Sequence, residues 1–138
     1  KIRFVGKADL LRFRILSWLA YLFDIIPVKR DSGDISSIKI CLKDLKNKEV
    51  LGIFPEGTRK GLDKNVKMKN GAVYLAEKAK VKIIPAGVQG SFKPFTKLTF
   101  NYGKPIDIQK IKENNENWQN EATKVVMDNI IMLTKEKV

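Results

Sequence analysis

Residues 51–61 read LGIFPEGTRKG, and the interpretation of the whole chain starts from this stretch. The nearly all-apolar stretch over residues 49–54 is typical of a strand covered on both faces of a sheet. It stops at Pro55, which cannot continue the hydrogen-bond ladder of a strand. Four consecutive residues with very different chemistry follow: Glu56, Gly57, Thr58 and Arg59. Two interpretations are open, an exposed polar turn and a loop that binds an anion at the carboxyl end of a buried strand.

Strand-like and helix-like segments alternate on both sides of this stretch. The patterns predict strands over residues 2–5, 25–28, 49–54, 81–88 and 97–102. Helices are predicted over residues 8–24, from an N-cap at Asp34, over residues 72–79, and from Trp118 to the C-terminal region. This order predicts an α/β fold with a mainly parallel sheet flanked by helices, in a single domain over residues 1–138.

The composition points to an anionic partner and excludes several kinds of site. The chain has 138 residues, 43% of them apolar, and 27 Lys+Arg against 15 Asp+Glu give a net charge of +12. Nucleic acid, an acidic membrane surface and a phosphorylated substrate all fit such a charge. The single cysteine, Cys41, excludes an internal disulfide and a cysteine-based zinc site, so no metal site is predicted. Cys41 is predicted to be a buried structural thiol.

The chain contains no histidine, which removes the usual general base near neutral pH. Any catalysis must therefore use Asp, Glu or Lys, or residues outside this sequence. The chain opens at Lys1 with a strand-like phrase and no lead-in, from which we expect it to be a fragment.

A second basic segment follows the strand predicted over residues 25–28. Lys29 and Arg30 could stand at the same sheet edge as Arg59 and bind one anion with it, or they could form a solvated strand end. A P-loop is excluded. Gly52 and Gly57 have the required gap, but Thr58 and Arg59 follow where Lys and Ser or Thr are needed.

Four segments together resemble one family. FPEGTRKG (54–61) is similar to the Phe-Pro-Glu-Gly-Thr-Arg-Ser block of the glycerolipid acyltransferases, the 1-acylglycerol-3-phosphate acyltransferase family. IPVKRD (26–31) resembles the second block of that family and IIPAGVQG (83–90) the fourth, while RFVGKADL (3–10) resembles the segment after the first block. The resemblance implies the glycerol-3-phosphate acyltransferase-like fold.

The resemblance implies transfer of a fatty acyl group from a coenzyme A or acyl-carrier-protein thioester to the free hydroxyl of a lysophospholipid. These thioesters are co-substrates, and no cofactor is expected. In the family, a His-x-x-x-x-Asp block supplies the base. We expect that block upstream of Lys1, so that this chain holds no catalytic residue and contributes the acceptor-binding part of the site.

The same resemblance assigns roles to individual residues. Arg30 and Arg59 would bind the acceptor phosphate, with Lys7 as a weaker candidate, and Glu56 would position the glycerol hydroxyls. Gly57 and Thr58 would shape the loop, and Pro85 would form part of the wall on the acyl side. Two residues depart from the family pattern, namely Lys60 in place of serine and Lys29 at a variable position.

An anionic membrane surface is the expected site of action, at the cytoplasmic face, with the protein peripheral or anchored by a missing N-terminal segment. The helix over residues 8–24 carries aromatic residues beside Arg12 and Arg14, which fits either an interfacial helix or a partly buried one. Nucleic acid is not expected as a partner. A basic nucleic-acid-binding module and a catalytically inactive scaffold with the same fold remain the alternatives.

Overall fold

The structure is a computed structural model that describes residues 2–8, 18, 20–22, 24–28, 35–55, 70–90 and 96–135. The chain divides into two compact units, Lys1–Pro55 and Glu56–Val138. We refer to them as the first and the second unit. A single domain over residues 1–138 stays a prediction.

The first unit contains a three-stranded parallel sheet. Its strands are β1 (Ile2–Lys7), β2 (Ile26–Val28) and β3 (Val50–Gly52), in the order β2-β1-β3. Helix α1 (Ile35–Lys46) packs against β2 and β3. A parallel sheet joined by a helical crossover is the arrangement that the α/β prediction requires.

The buried face of α1 is more polar than its sequence suggests. Cys41 is buried, as predicted, but the other buried residues of the helix are Ser37 and Asp44, and Ile35 is exposed. The Ser37 hydroxyl donates a hydrogen bond to the Pro27 carbonyl at 2.8 Å, which joins α1 to the edge strand β2.

The described residues of the second unit form three helices and an antiparallel pair of strands. Its elements are α2 (Gly71–Ala79), β4 (Ala86–Gly90), β5 (Leu98–Tyr102), α3 (Ile108–Glu113) and α4 (Trp118–Lys135). One apolar core joins the three helices, and its buried members are Val73, Ala76, Ile108, Ala122, Val126 and Ile130.

Local chemistry explains where two of these helices begin and end. α2 ends at Lys80, which has a left-handed conformation (φ 55°, ψ 42°) and donates its backbone N–H to the carbonyls of Ala76 and Glu77. α3 begins after Asp107, whose carboxylate accepts a hydrogen bond from the Gln109 N–H at 3.1 Å.

Several predicted boundaries were wrong. β3 covers only Val50–Gly52, and Val50 is 54% exposed, so the strand is not covered on both faces. The strand predicted over residues 81–88 begins at Ala86 and pairs antiparallel with β5. An apolar run shows that residues are buried somewhere, but not which partner covers them. Helix α3 was not predicted because its six residues are too few to show a helical period.

The helix predicted over residues 8–24 lies largely outside the described residues. Trp18 and residues 20–22 are helical, with Ala20 buried and Trp18 and Tyr21 exposed. The N-cap predicted at Asp34 also lies outside the described residues.

Candidate functional site

The carboxyl ends of the parallel strands define the sheet edge from which the two basic segments continue. In the β1–β2 pairing, Lys7 lies opposite Val28. Arg30 follows two residues after Val28 in the sequence. In the β1–β3 pairing, Phe4 lies opposite Gly52, and the chain then runs through Pro55 to the Glu56–Arg59 segment. Because all three strands are parallel, their carboxyl ends lie at one edge of the sheet.

Most of the predicted site residues lie outside the described part of the chain. These are Arg30, Glu56, Gly57, Thr58 and Arg59. The backbone of Lys7 is described as the last residue of β1, whereas its side chain is not. The assigned phosphate and glycerol contacts, and the convergence of the two arginines on one anion, therefore stay predictions.

The described residues that lead into the Glu56–Arg59 segment form an aromatic contact. The Phe4 and Phe54 rings are stacked, with centroids 6.2 Å apart and ring planes 18° from parallel. The Phe4 ring lies over Gly52, where an added Cβ would come within 2.5 Å of two ring carbons. Glycine at this position therefore allows the ring to lie across the sheet. Sequence reasoning missed this contact, since only the strand register places residues 4 and 52 side by side.

An ion pair ties β1 to α1 on the other side of the sheet. The Arg3 guanidinium donates to the Asp44 carboxylate at 2.5 Å, and the two side chains are 28% and 11% exposed. The Arg3 Nε atom is buried and has no hydrogen-bond partner among the described residues. The sequence held one sign of this arrangement. Arg3 and Phe4 are successive residues of a strand, so their side chains point to opposite faces of the sheet.

Among the described residues, two titratable groups have clearly shifted pKa values, and neither fits the role of a catalytic base. Burial raises the pKa of the Cys41 thiol, and the neighbouring negative charge of Asp44 adds to this effect, so the thiol stays protonated and unreactive. A hydrogen bond from Lys112 lowers the pKa of Glu77, which keeps that carboxylate ionised in a structural ion pair. The pair joins α2 to α3, with 2.6 Å between Lys112 Nζ and Glu77 Oε1.

The wall residue predicted on the acyl side, Pro85, is one of the most buried side chains of the second unit. A Cβ on Gly103 would come within 2.9 Å of its ring. Its packing is described, and its contact with an acyl chain stays a prediction.

The described ranges hold neither a metal-binding cluster nor a membrane-spanning helix. These ranges contain no group of three or more Cys, Asp or Glu side chains placed to hold a metal ion. In the same part of the chain, every helix is too short or too polar to cross a bilayer.

Comparison with known sequences identifies related proteins. The model of the acyltransferase family matches residues 1–89. A 1-acyl-sn-glycerol-3-phosphate acyltransferase of Streptococcus pneumoniae is 33% identical over 122 residues, which cover 82% of this chain and 44% of that protein. An enzyme of the same name from Bacillus subtilis is 37% identical over 90 residues, or 65% of this chain and 44% of that protein. The chain thus spans less than half the length of these two relatives.

Comparison with solved structures supports the fold. The crystal structure of the 1-acyl-sn-glycerophosphate acyltransferase PlsC from Thermotoga maritima has a TM-score of 0.63 and 19% sequence identity. The similarity covers 99% of this chain and 58% of that one. The predicted α/β fold of the glycerol-3-phosphate acyltransferase type is therefore confirmed.

Proposed function

Because this chain belongs to the acyltransferase family, we propose that it takes part in transferring a fatty acyl group to the free hydroxyl of 1-acylglycerol-3-phosphate in phospholipid biosynthesis. The observation that carries the proposal is the family match over residues 1–89, which contains both basic segments, Arg30 and Glu56–Arg59. The parallel sheet supports it, since β2 precedes Arg30 and β3 precedes Glu56–Arg59 in the sequence, and both strands end at the same edge.

In this proposal the chain holds the acceptor. Arg30 and Arg59 bind the phosphate, where a planar guanidinium can form paired charge-assisted hydrogen bonds with its oxygens. Lys7, at the end of β1, adds positive charge to the same edge. Glu56 orients the glycerol hydroxyls, and the stacked Phe4 and Phe54 rings lie just before the Glu56–Arg59 segment in the sequence.

The proton of the attacking hydroxyl needs a base, and the 138 residues contain no histidine. We therefore assign the base to a His-x-x-x-x-Asp block outside these residues. The acyl donor in the proposal is a coenzyme A or acyl-carrier-protein thioester. The 138 residues alone should bind an acceptor but transfer little acyl group, and rapid turnover by them would contradict this assignment.

Replacement of Arg59 tests the proposal. In the protein as the cell makes it, Arg59→Ala should lower kcat/KM for 1-acylglycerol-3-phosphate by about ten- to hundredfold, the value of one charge-assisted hydrogen bond to phosphate. Transfer to a monoacylglycerol, which lacks the phosphate, should not change. Lys124→Ala removes one exposed positive charge from α4 and is the matched control. If the Arg59 variant turned over 1-acylglycerol-3-phosphate as fast as the native protein does, the phosphate-binding role of Arg59 would be ruled out.

The proposal also places the chain at the cytoplasmic face of an anionic membrane, as a peripheral protein or through an N-terminal anchor. Exposed apolar side chains on the helical turn of the first unit support membrane contact. Trp18, Tyr21 and Leu22 are 63%, 85% and 58% exposed. Aromatic side chains of this kind sit well at a lipid headgroup boundary. Weaker vesicle binding by Trp18→Ser/Tyr21→Ser would support this contact, and unchanged binding would contradict it.

A further inference from the structure

One face of the β4–β5 pair is covered by α4. Gly87 lies against the helix, where an added Cβ would come within 2.5 Å of the Leu133 carbonyl carbon. The Gln89 and Asn101 side chains donate hydrogen bonds to the Leu133 carbonyl oxygen, at 3.3 and 2.9 Å. Because successive side chains of a strand point to opposite faces, the residues between these positions point away from α4.

The opposite face of the same pair is apolar and exposed. Its cross-strand partners are Ala86 with Tyr102 and Val88 with Phe100. Phe100 and Tyr102 are 54% and 68% exposed, and Ile84, just before β4, is 60% exposed. We call the following six residues the β4–β5 face: Ile84, Ala86, Val88, Leu98, Phe100 and Tyr102. A contiguous patch of apolar side chains on a surface marks a binding site more often than scattered single residues do.

Two lysines border the β4–β5 face at one end. Ile83 packs against the core of the second unit, so Lys82 and Ile84, on either side of it, point away from that core. On the other strand, Lys104 follows Tyr102 and Gly103 just after the end of β5. Lys82 and Lys104 are both exposed.

We propose that the β4–β5 face binds the surface of an anionic lipid bilayer. Phe100, Tyr102 and Ile84 would enter the boundary between headgroups and acyl chains, while Lys82 and Lys104 would contact lipid phosphates. Lysine suits this position because its stem can lie along apolar surface while its ammonium stays among headgroups. The inference deepens the proposed function and rests on it for the choice of a bilayer, since the proposed acceptor is itself a membrane lipid.

Two other partners fit the face less well. Grooves for single-stranded nucleic acid interleave aromatic residues with basic ones along their length. Here the apolar residues are contiguous and the lysines lie at the border. A second copy of the chain would bring together two molecules with a net charge of +12 each, and like charges oppose such a contact.

Vesicle binding tests the apolar part of the proposal. The protein is sedimented with vesicles of equal parts phosphatidylglycerol and phosphatidylcholine at about 0.1 M salt, where exposed charges still act over ~10 Å. Phe100→Ser/Tyr102→Ser should weaken binding about tenfold or more, because it removes two large apolar groups. The matched control is Tyr74→Ser/Met132→Ser, which replaces two exposed apolar side chains on α2 and α4. The control should bind like the native protein.

The border lysines are tested by charge reversal. Lys82→Glu/Lys104→Glu should weaken binding to the anionic vesicles about tenfold or more. Lys110→Glu/Lys124→Glu makes the same change in net charge at two exposed positions outside the face and should have a much smaller effect. If both double variants lost affinity equally, net charge alone would explain the binding and the proposal would be wrong.

Folding of the variants is checked by thermal unfolding. If Phe100→Ser/Tyr102→Ser does not fold, the single change Tyr102→Gln carries the test, because the Tyr102 side chain is largely exposed. Native affinity in a folded Tyr102→Gln variant would overturn the proposal. Two further results would overturn the proposal. One is a dimer of the native protein that the Phe100 and Tyr102 changes dissociate. The other is a native protein that binds oligonucleotides but not vesicles, and that loses the oligonucleotide binding when these residues are changed.

Two acyl-transfer assays separate this inference from the proposed function. Phe100→Ser/Tyr102→Ser should slow transfer to an acceptor held in vesicles but not to the same acceptor dispersed in detergent. Loss of vesicle binding with normal detergent activity supports both proposals. Absence of acyl transfer by the protein as the cell makes it, with vesicle binding that still depends on the β4–β5 face, would remove the proposed function and leave the lipid-binding surface in place.

Discussion

The two units of the chain hold their helices in different ways. In the second unit, three helices share one apolar core with Ile108 and Ala122 fully buried. In the first unit, α1 is joined to the sheet by partly buried polar contacts, the Arg3–Asp44 ion pair and the hydrogen bond from Ser37 to Pro27. Apolar packing depends on volume and polar contacts depend on partners. The two units should therefore respond to different substitutions.

The largest expected effect comes from opening a cavity in the second unit. Ile108→Ala removes most of a side chain that is 0% exposed and should lower the free energy of unfolding by about 2–5 kcal/mol. Met132→Ala, at a position that is 69% exposed, is the control and should change it by less than ~0.5 kcal/mol.

Hydrogen exchange shows where that loss is felt. Amide protons of α4 should lose protection in Ile108→Ala. If the amides of α1 lost the same amount, the two units would unfold as one cooperative body, and the contrast between them would not extend to stability.

In the first unit, removal of one charge should have the next largest effect. Asp44→Asn leaves the Arg3 guanidinium, which is only 28% exposed, without its carboxylate partner. The cost should be about 1–3 kcal/mol, seen as lost amide protection in α1. Arg3→Met/Asp44→Leu removes both charges and should regain part of the loss. If the double change cost as much as the sum of the single ones, the pair would not act as a unit.

A matched pair of glycine substitutions tests how closely α4 packs on the strands. Gly87→Ala places a methyl group about 2.5 Å from the Leu133 backbone, so the helix must shift, at a cost of about 1–3 kcal/mol in unfolding free energy. At Gly71 an added Cβ meets nothing within 4 Å. Gly71→Ala should therefore be neutral or stabilise the protein by up to ~1 kcal/mol. Equal urea midpoints for the two variants would contradict the close packing.

The sequence predicted elements whose pattern is local. The helix over residues 72–79 and the strand over residues 97–102 were predicted to within one residue, because each has a clear period. Pro27, which cannot donate to a strand ladder, lies in β2 at the end of the described three-stranded sheet. The short strand at Val50 and the antiparallel partner of β4 were not predictable in the same way, because pairing depends on distant residues.

In the candidate site as well, local sequence patterns were predictable and contacts between distant residues were not. The FPEGTRKG and IPVKRD segments identified the family because their residue types and spacing are specific, and the family match confirms it. The described contacts of β1, in the sheet that precedes the Glu56–Arg59 segment, are between residues far apart in sequence. Phe4 meets Phe54, and Arg3 meets Asp44 across 41 residues. No local pattern encodes such pairs.

The smallest expected effect concerns the Glu77–Lys112 ion pair of the second unit. Because an apolar core holds the helices of this unit, a polar contact should matter less here than in the first unit. The hydrogen bond from Lys112 lowers the pKa of Glu77 below its ordinary value of 4.5. A carboxylate with a lowered pKa stabilises the folded state fully above its unfolded pKa. That contribution is lost as the pH falls from about 4.5 through the folded pKa.

Glu77→Gln should therefore reduce the acid dependence of unfolding. Between pH 7 and 5 its free energy of unfolding should change little, and below that the native protein should lose stability more steeply than the variant. Lys112→Gln, which removes the hydrogen-bond donor, should also flatten the acid limb, whereas Lys110→Gln on the same helix should not. Urea unfolding at several pH values measures this. Parallel curves for the native protein and Glu77→Gln would mean that the pair adds nothing, and that the second unit is held by its apolar core alone.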